Sequence, residues 1–265
     1  MTAVFVAGVG MVPFVKPSVA EAYDKMAVSA AKAALQDAGL SYQDIQQAYV
    51  GYVYGDSTAG QLALYQVGKT GIPIINVNNN CSTGSTALYM ARQAIQHGIA
   101  DCVLVLGFEQ MKAGAIGEQF TDRPSPFREF DTLCKELVDV DLPLALRYFG
   151  GAGREHMQRF GTTLETFAKI RAKASRHAVH NPLALMRKEV TAEQVMEDPI
   201  LWPGVMTRMM ACPPTCGAAA AVLVSERFAH KHGIATNVKM LAQSMVTDLP
   251  STFTEKSMIK LVGFD

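Results

Sequence analysis

Strand-like and helix-like segments alternate through the first hundred residues, and that order leaves few architectures open. Val4 to Val9 is a short apolar, β-branched run punctuated by Gly8 and Gly10, which predicts a buried strand. From Ala22 to Ala38, the residues Met26, Ala27, Ala30, Ala31, Ala34, Leu35 and Ala38 recur at helical spacing, and Gly39 fits the stop position. A second strand is expected over Gln47 to Tyr54, a short helix over Gly60 to Val67 and a third strand over Pro73 to Val77. A helix from Ser82 to His97 then ends at Gly98, and Cys102 to Gly107 gives a fourth strand. Strands alternating with helices imply βαβ units, a mainly parallel sheet and right-handed crossovers.

The order breaks near residue 108. Met111 to Pro143 mixes glycine, proline, charged and short apolar residues without a sustained period. A loop of that size is unusual inside a compact domain, so an inserted subdomain is expected over about 108–216, with helices over Ala145 to Phe160 and Leu164 to His180. The main pattern returns at Gly217 to Ser225, a run of alanines and valines that reads as a buried strand rejoining the sheet. A further strand is expected over Val238 to Val246, and a short amphipathic stretch over Thr254 to Val262. The expected organisation is therefore one domain over 1–230, interrupted by the insertion, with the start of another over 231–265.

Acidic and basic residues balance at 24 each, so no single-sign field favours nucleic acid or an anionic membrane. The apolar runs are strand-length, and no integral membrane segment is expected. The start lacks a basic segment and a cleavage pattern, so a secreted protein is not expected. Five cysteines, an odd number, argue against a disulfide framework and for a reducing compartment.

The chemistry concentrates in Val77-Asn-Asn-Asn-Cys81-Ser-Thr-Gly-Ser-Thr-Ala-Leu88. A buried strand leads in, three asparagines make a turn, and a helix follows. Unpaired amides at a helix start favour negative charge, and such positions lower the pKa of a free cysteine from its usual value of about 8.5. The same amides suit an oxyanion forming on an attacked carbonyl. A buried structural thiol behind a polar turn fits the pattern too. Three consecutive asparagines favour a reactive site, because asparagine is a poor strand residue that needs polar partners when buried.

That segment resembles the nucleophile motif of the thiolases, above all the sterol-carrier-protein-type thiolases and related lipid-transfer proteins. Further segments agree: Gly51-Tyr-Val-Tyr-Gly-Asp-Ser57, Gly71-Ile-Pro-Ile-Ile-Asn-Val77, Gly107-Phe-Glu109, Gly153-Arg-Glu-His-Met157, His180-Asn-Pro182 and Asp248-Leu-Pro250. The resemblance implies an α/β fold with a βαβαβαββ half, carrying an inserted loop subdomain on the coenzyme A side. This is half of a five-layer αβαβα sandwich. It implies retro-Claisen cleavage of a 3-ketoacyl-CoA through an acyl-enzyme on Cys81, with coenzyme A as substrate and no covalently bound cofactor. His156 and Met157, in the inserted region, are implied neighbours of substrate or coenzyme A. Asn78, Asn79 and Asn80 are implied to support the turn and a dimer interface.

The family's base and acid come from a His-Asp-Cys-Phe-type and a Gly-His-Pro motif, and neither string occurs in the 265 residues. The chain is therefore expected to be a nucleophile half, inactive alone, acting as a homodimer or paired with a C-terminal thiolase half. The compartments implied are bacterial cytoplasm or the peroxisome. Two alternatives stand beside this reading. One is a thiolase-like aldolase or lyase of steroid side-chain degradation, disfavoured by Cys81; the other is a non-catalytic partner half. Cys216 stands where the family usually has aspartate.

Other candidates carry weaker signals. Cys212 and Cys216 lack a second ligand pair, so no metal is expected. Gly8-Val-Gly10 meets Pro13 where a dinucleotide fingerprint needs its third glycine, so a turn is expected there instead. His177 and His180 read as surface groups. Met206, Met209 and Met210 fit core packing better than an acyl pocket.

Overall fold

The computed structural model describes residues 2–112 and 120–263. The chain forms two compact units, Met1–Ala113 with Pro214–Met245, and Gly114–Pro213 with Val246–Asp265.

The first unit opens with β1 (Val4–Met11), α1 (Tyr23–Ala38), β2 (Gln47–Gly51), α2 (Ala59–Tyr65), β3 (Ile74–Val77), α3 (Thr83–Gln96) and β4 (Cys102–Glu109). The chain then enters the second unit through α4 (Arg128–Leu137), α5 (Leu144–Phe160), α6 (Leu164–Val179), α7 (Ala192–Met196) and a small hairpin of β5 (Ile200–Trp202) and β6 (Met206–Thr207). It returns for β7 (Gly217–Ser225) and α8 (Glu226–His232), and ends in the second unit with α9 (Pro250–Thr254) and α10 (Met258–Leu261).

The large sheet runs β1-β7-β4-β2-β3. β2 pairs in parallel with β3 and β4, while β7 is antiparallel to β4 and to β1. The four strands from the leading segment therefore point one way, and β7 alone is reversed. Both faces are covered, so β4 is apolar from Cys102 to Phe108 and ends in Glu109. Leu104 and Leu106 pack with α1 and α2, while Val103 and Val105 pack with Ala87, Ala91 and Ile95 of α3.

Gly8 and Gly10 are not a turn but part of β1. A Cβ on Gly8 would collide with the backbone of Ala34 and Ala38, and one on Gly10 with Ala30 O, so these glycines let α1 lie close against the strand. α1 ends at Gly39, whose φ of 66° is left-handed, as its C-cap requires.

The expected strand over Val238 to Val246 does not form. Only its start finds an edge: Val6 N donates to Val238 O and Met240 N to Val4 O, both at 2.9 Å. The apolar residues beyond, Leu241 and Val246, are 80% and 86% exposed.

In the second unit, the two long helices lie within a residue of expectation. The core gathers Leu133, Cys134, Trp202, Met206, Met258 and Leu261. Gly150 and Gly151 of α5 give room for Trp202 and Met258 respectively. Residues 113–119 of the mixed stretch after β4 lie outside the described residues. Among the described residues, no helix is long and apolar enough to cross a membrane.

Candidate functional site

β3 ends at buried Val77, and α3 begins at Thr83 with Ser82 as its N-cap. The five residues between them are held by their own side chains. Asn78 Oδ1 accepts from Asn80 N at 3.2 Å, and Asn80 adopts a left-handed φ of 47°, which asparagine tolerates better than most residues. Asn79 N donates to Thr83 Oγ1 at 2.8 Å, and the Asn79 side-chain amide donates to Thr86 Oγ1 at 2.9 Å. Thr83 Oγ1 donates to Asn80 O, and Ser82 Oγ to Asn79 O at 2.8 Å. The asparagines are thus the scaffold of the turn.

Cys81 sits on that scaffold, exposed, one residue before the N-cap. Among the described residues, the Gly84 and Ser85 amides in the first turn of α3 have no acceptor. A Cβ on Gly84 would meet nothing within 4 Å, so the helix start is open to an approaching group. Cys81 is therefore at the surface just ahead of a helix start with uncommitted amides, not walled into the core.

Register places further groups at the same edge. Gly51 of β2 pairs with Val77 on one side and Gly107 on the other. Cys81, Tyr54 and Glu109 all lie just beyond that row, at the carboxyl ends of adjacent parallel strands, where α/β sheets carry their ligands. Gly51 has no room for a side chain, because a Cβ would come to 2.8 Å from Thr83 Cγ2. That contact seats the head of α3 on β2. Glu109 takes two amides from the loop after β2: Val53 N donates at 2.9 Å to one oxygen and Tyr54 N at 3.0 Å to the other. The Tyr54 phenol is held above its ordinary value of 10.0, first by burial and then by the neighbouring Glu109 and Cys81. Sequence reasoning assigned neither Tyr54 nor Glu109 a role. Their signal was positional: Tyr54 lies three residues past β2 and Glu109 ends β4, and β2 lies between β4 and β3, which leads to Cys81.

The other cysteines differ in kind. Cys102 is fully buried in β4, and burial pushes its thiol up to about 12. Burial also raises Cys134. Cys216 is buried with Sγ 3.5 Å from Met111 O, whereas Cys212 is exposed.

His156 and Met157 lie on α5 in the second unit. The His156 ring packs on Phe160 at 4.7 Å, and its Nδ1 pairs with Thr162 Oγ1 at 2.8 Å. Met157 O accepts from Gly161 N at 3.0 Å to close the helix. The structure thus joins Cys81 with Asn78, Asn79 and Asn80 in one turn, and keeps His156 and Met157 in another unit. Met206 is core, 8% exposed; Met206 and Met210 also line a groove of about 330 Å³ with Phe149, Phe167 and Ile170. Among the described residues, no histidine hydrogen-bonds to Cys81, and no three histidine, cysteine or acidic side chains are grouped to hold a metal.

Comparison with known proteins gives a consistent picture. Residues 4–191 match the family model described as thiolase, N-terminal domain. Sterol carrier protein 2 of Oryctolagus cuniculus is 51% identical over 267 residues, covering 99% of this chain and 49% of that protein. Non-specific lipid-transfer protein-like 2 of Caenorhabditis elegans is 40% identical, covering 99% of this chain and 65% of that protein. The chain thus spans about half the length of its sterol carrier protein 2 relatives. Among solved structures, human mitochondrial 3-ketoacyl-CoA thiolase in complex with CoA superimposes with a TM-score of 0.65 at 21% identity, over 91% of this chain and 69% of that one. An Ltp2-ChsH2(DUF35) aldolase gives 0.70 at 21% identity, over 86% and 57%. At these identities both support the fold alone.

Proposed function

The chain belongs to the thiolase family, and from that premise we propose that it supplies the nucleophile of an acyl-CoA acyltransferase, with Cys81 as the residue that carries the acyl group. The observation that carries this reading is the exposed Cys81 one residue ahead of the N-cap of a helix whose Gly84 and Ser85 amides have no acceptor among the described residues. A thiol at a helix start is a stronger candidate nucleophile than one in a core, and amides there can receive charge developing on an attacked carbonyl.

The proposed reaction is cleavage of a 3-ketoacyl-CoA. The Cys81 thiolate attacks the keto carbonyl, and the adduct collapses by breaking the bond between C2 and C3. The leaving enolate takes a proton and departs as a shorter acyl-CoA. The remaining acyl group stays on Cys81 as a thioester until the thiolate of a second CoA displaces it, restoring the sulfur. Coenzyme A is thus a substrate. His156 and Met157 are proposed neighbours of it on the inserted unit. The Asn78–Asn80 turn is proposed to sit at a homodimer interface, or at one with a C-terminal thiolase half.

Cleavage needs a base for the thiol and an acid for the enolate. No imidazole among the described residues hydrogen-bonds to Cys81, so both are proposed to come from outside these 265 residues, and the chain alone takes up an acyl group without sustained turnover. Radiolabelled acyl-CoA tests the carrier: protein-bound label is expected after denaturation, and C81A should lose it. Equal label in both would refute the assignment of Cys81. Turnover of 3-ketoacyl-CoA and CoA at a thiolase-like rate would refute the incomplete-half reading.

A further inference from the structure

The edge of the sheet that carries Cys81 holds a second arrangement. Glu109 ends β4, and both of its carboxylate oxygens are occupied by consecutive amides, those of Val53 and Tyr54. A carboxylate with its oxygens free would repel negative charge on a nearby sulfur; one committed to two amides is oriented and partly compensated. The clamp also fixes the chain where it leaves β2. Gly51 is in register with Val77 and Gly107, so the loop it fixes lies between the strand leading to Cys81 and the strand ending in Glu109.

Tyr54 is the consequence. Its backbone is held by Glu109, and its side chain is half-buried at this edge. The phenol makes no hydrogen bond to another described residue, and burial, then Glu109 and Cys81, hold it above its ordinary value. A phenol with no described partner, on a loop clamped between the strand that leads to exposed Cys81 and the strand that ends in Glu109, is a donor awaiting an acceptor. We propose that Tyr54 meets the group carried on the Cys81 sulfur, donating to its carbonyl oxygen, and that Glu109 is the positioning residue that sets Tyr54 there. The identity of that carbonyl rests on the acyl-transfer reading; the placement of Tyr54 by Glu109 does not.

The test therefore reads placement without turnover. In the full chain carrying C212S, Cys81 is alkylated either with iodoacetate, which leaves a charged carboxymethyl group, or with iodoacetamide, which leaves a neutral group of similar size. Tyrosine labelled with carbon-13 at Cζ is titrated by NMR, with the Tyr54 resonance identified by its loss in Y54F. The expected result is a higher Tyr54 midpoint in the carboxymethylated protein than in the carbamidomethylated one, and loss of most of that difference in E109Q. Should E109Q fail to fold, Glu109→Asp, one methylene shorter, takes its place. Equal midpoints in the two alkylated forms, or a difference that survives both Glu109 variants, would overturn the proposal. A protein that shows the coupling but never takes up label from acyl-CoA would instead count against the acyl-transfer reading.

Discussion

The Asn79 side-chain amide donates to Thr86 Oγ1 at 2.9 Å, joining the turn before Cys81 to the second turn of the helix after it. One asparagine thereby makes the sulfur's position a property of α3 as well as of the loop. Replacing it with alanine leaves Thr86 Oγ1, in a residue only 9% exposed, without that donor. Asn79→Ala should cost on the order of 1–2 kcal/mol in urea unfolding. It should also slow acylation of Cys81 more than its alkylation, because only acylation needs the sulfur aligned with the helix amides. Equal slowing of both reactions would contradict this.

Gly51 is expected to be intolerant for a different reason. Its added Cβ would stand 2.8 Å from Thr83 Cγ2 and 3.1 Å from Thr83 O, so the head of α3 must lift from β2. Gly51→Ala should destabilise the chain by about 1–3 kcal/mol, the usual range for overpacking. A thermal melt with an unchanged midpoint would show that the seat is looser than the geometry indicates.

Alkylation should sort the cysteines by environment. Near neutral pH, limited iodoacetamide is expected to modify Cys81 and Cys212, the exposed pair, and to spare Cys102, Cys134 and Cys216. Cys102 is the firmest case, since burial pushes its thiol up to about 12 and removes access as well. Peptide mapping after partial labelling reads this directly; early modification of Cys102 in folded protein would contradict the core.

Acid should loosen the end of the chain. Glu155 accepts from Ser257 Oγ at 2.7 Å, from Met258 N at 2.6 Å and from Ile259 N at 3.2 Å, and so holds the start of α10. Burial pushes its pKa up, but hydrogen bonds from Ser257, Arg159, Ile259 and Met258 outweigh burial and hold it below the ordinary 4.5. A carboxylate depressed on folding stabilises the fold above its unfolded pKa, and that contribution fades as pH falls through the lower folded value. Hydrogen exchange at Met258 and Ile259 should therefore accelerate, beyond its intrinsic pH dependence, as the pH drops below 4.5. Glu155→Gln should exchange fast already at pH 7. A variant that exchanges like the parent would rule the latch out.

Much of this was legible in the residues. Periodicity located β1 to β4, α1, α3 and the returning β7, because a sheet covered on both faces writes itself as apolar runs between amphipathic helices. The asparagine run announced Cys81, since three consecutive polar residues after a buried strand need a structural use. Two things were not legible. Val238 to Val246 reads as a strand by composition, yet only its first residues meet the free edge of β1, and composition does not report the supply of edges. Tyr54 and Glu109 come together through the parallel register of β2, β3 and β4, a relation among residues up to 55 positions apart that no local pattern encodes.

The claim on which the rest depends is that an acyl group is carried on Cys81. An acyl-CoA, mixed with the protein at equal concentration without free CoA and quenched in acid, gives the most direct reading by peptide mass spectrometry. The account predicts the acyl mass on the peptide containing Cys81 and on none carrying another cysteine. An unmodified Cys81 peptide, or the same mass on the Cys212 peptide instead, would contradict it.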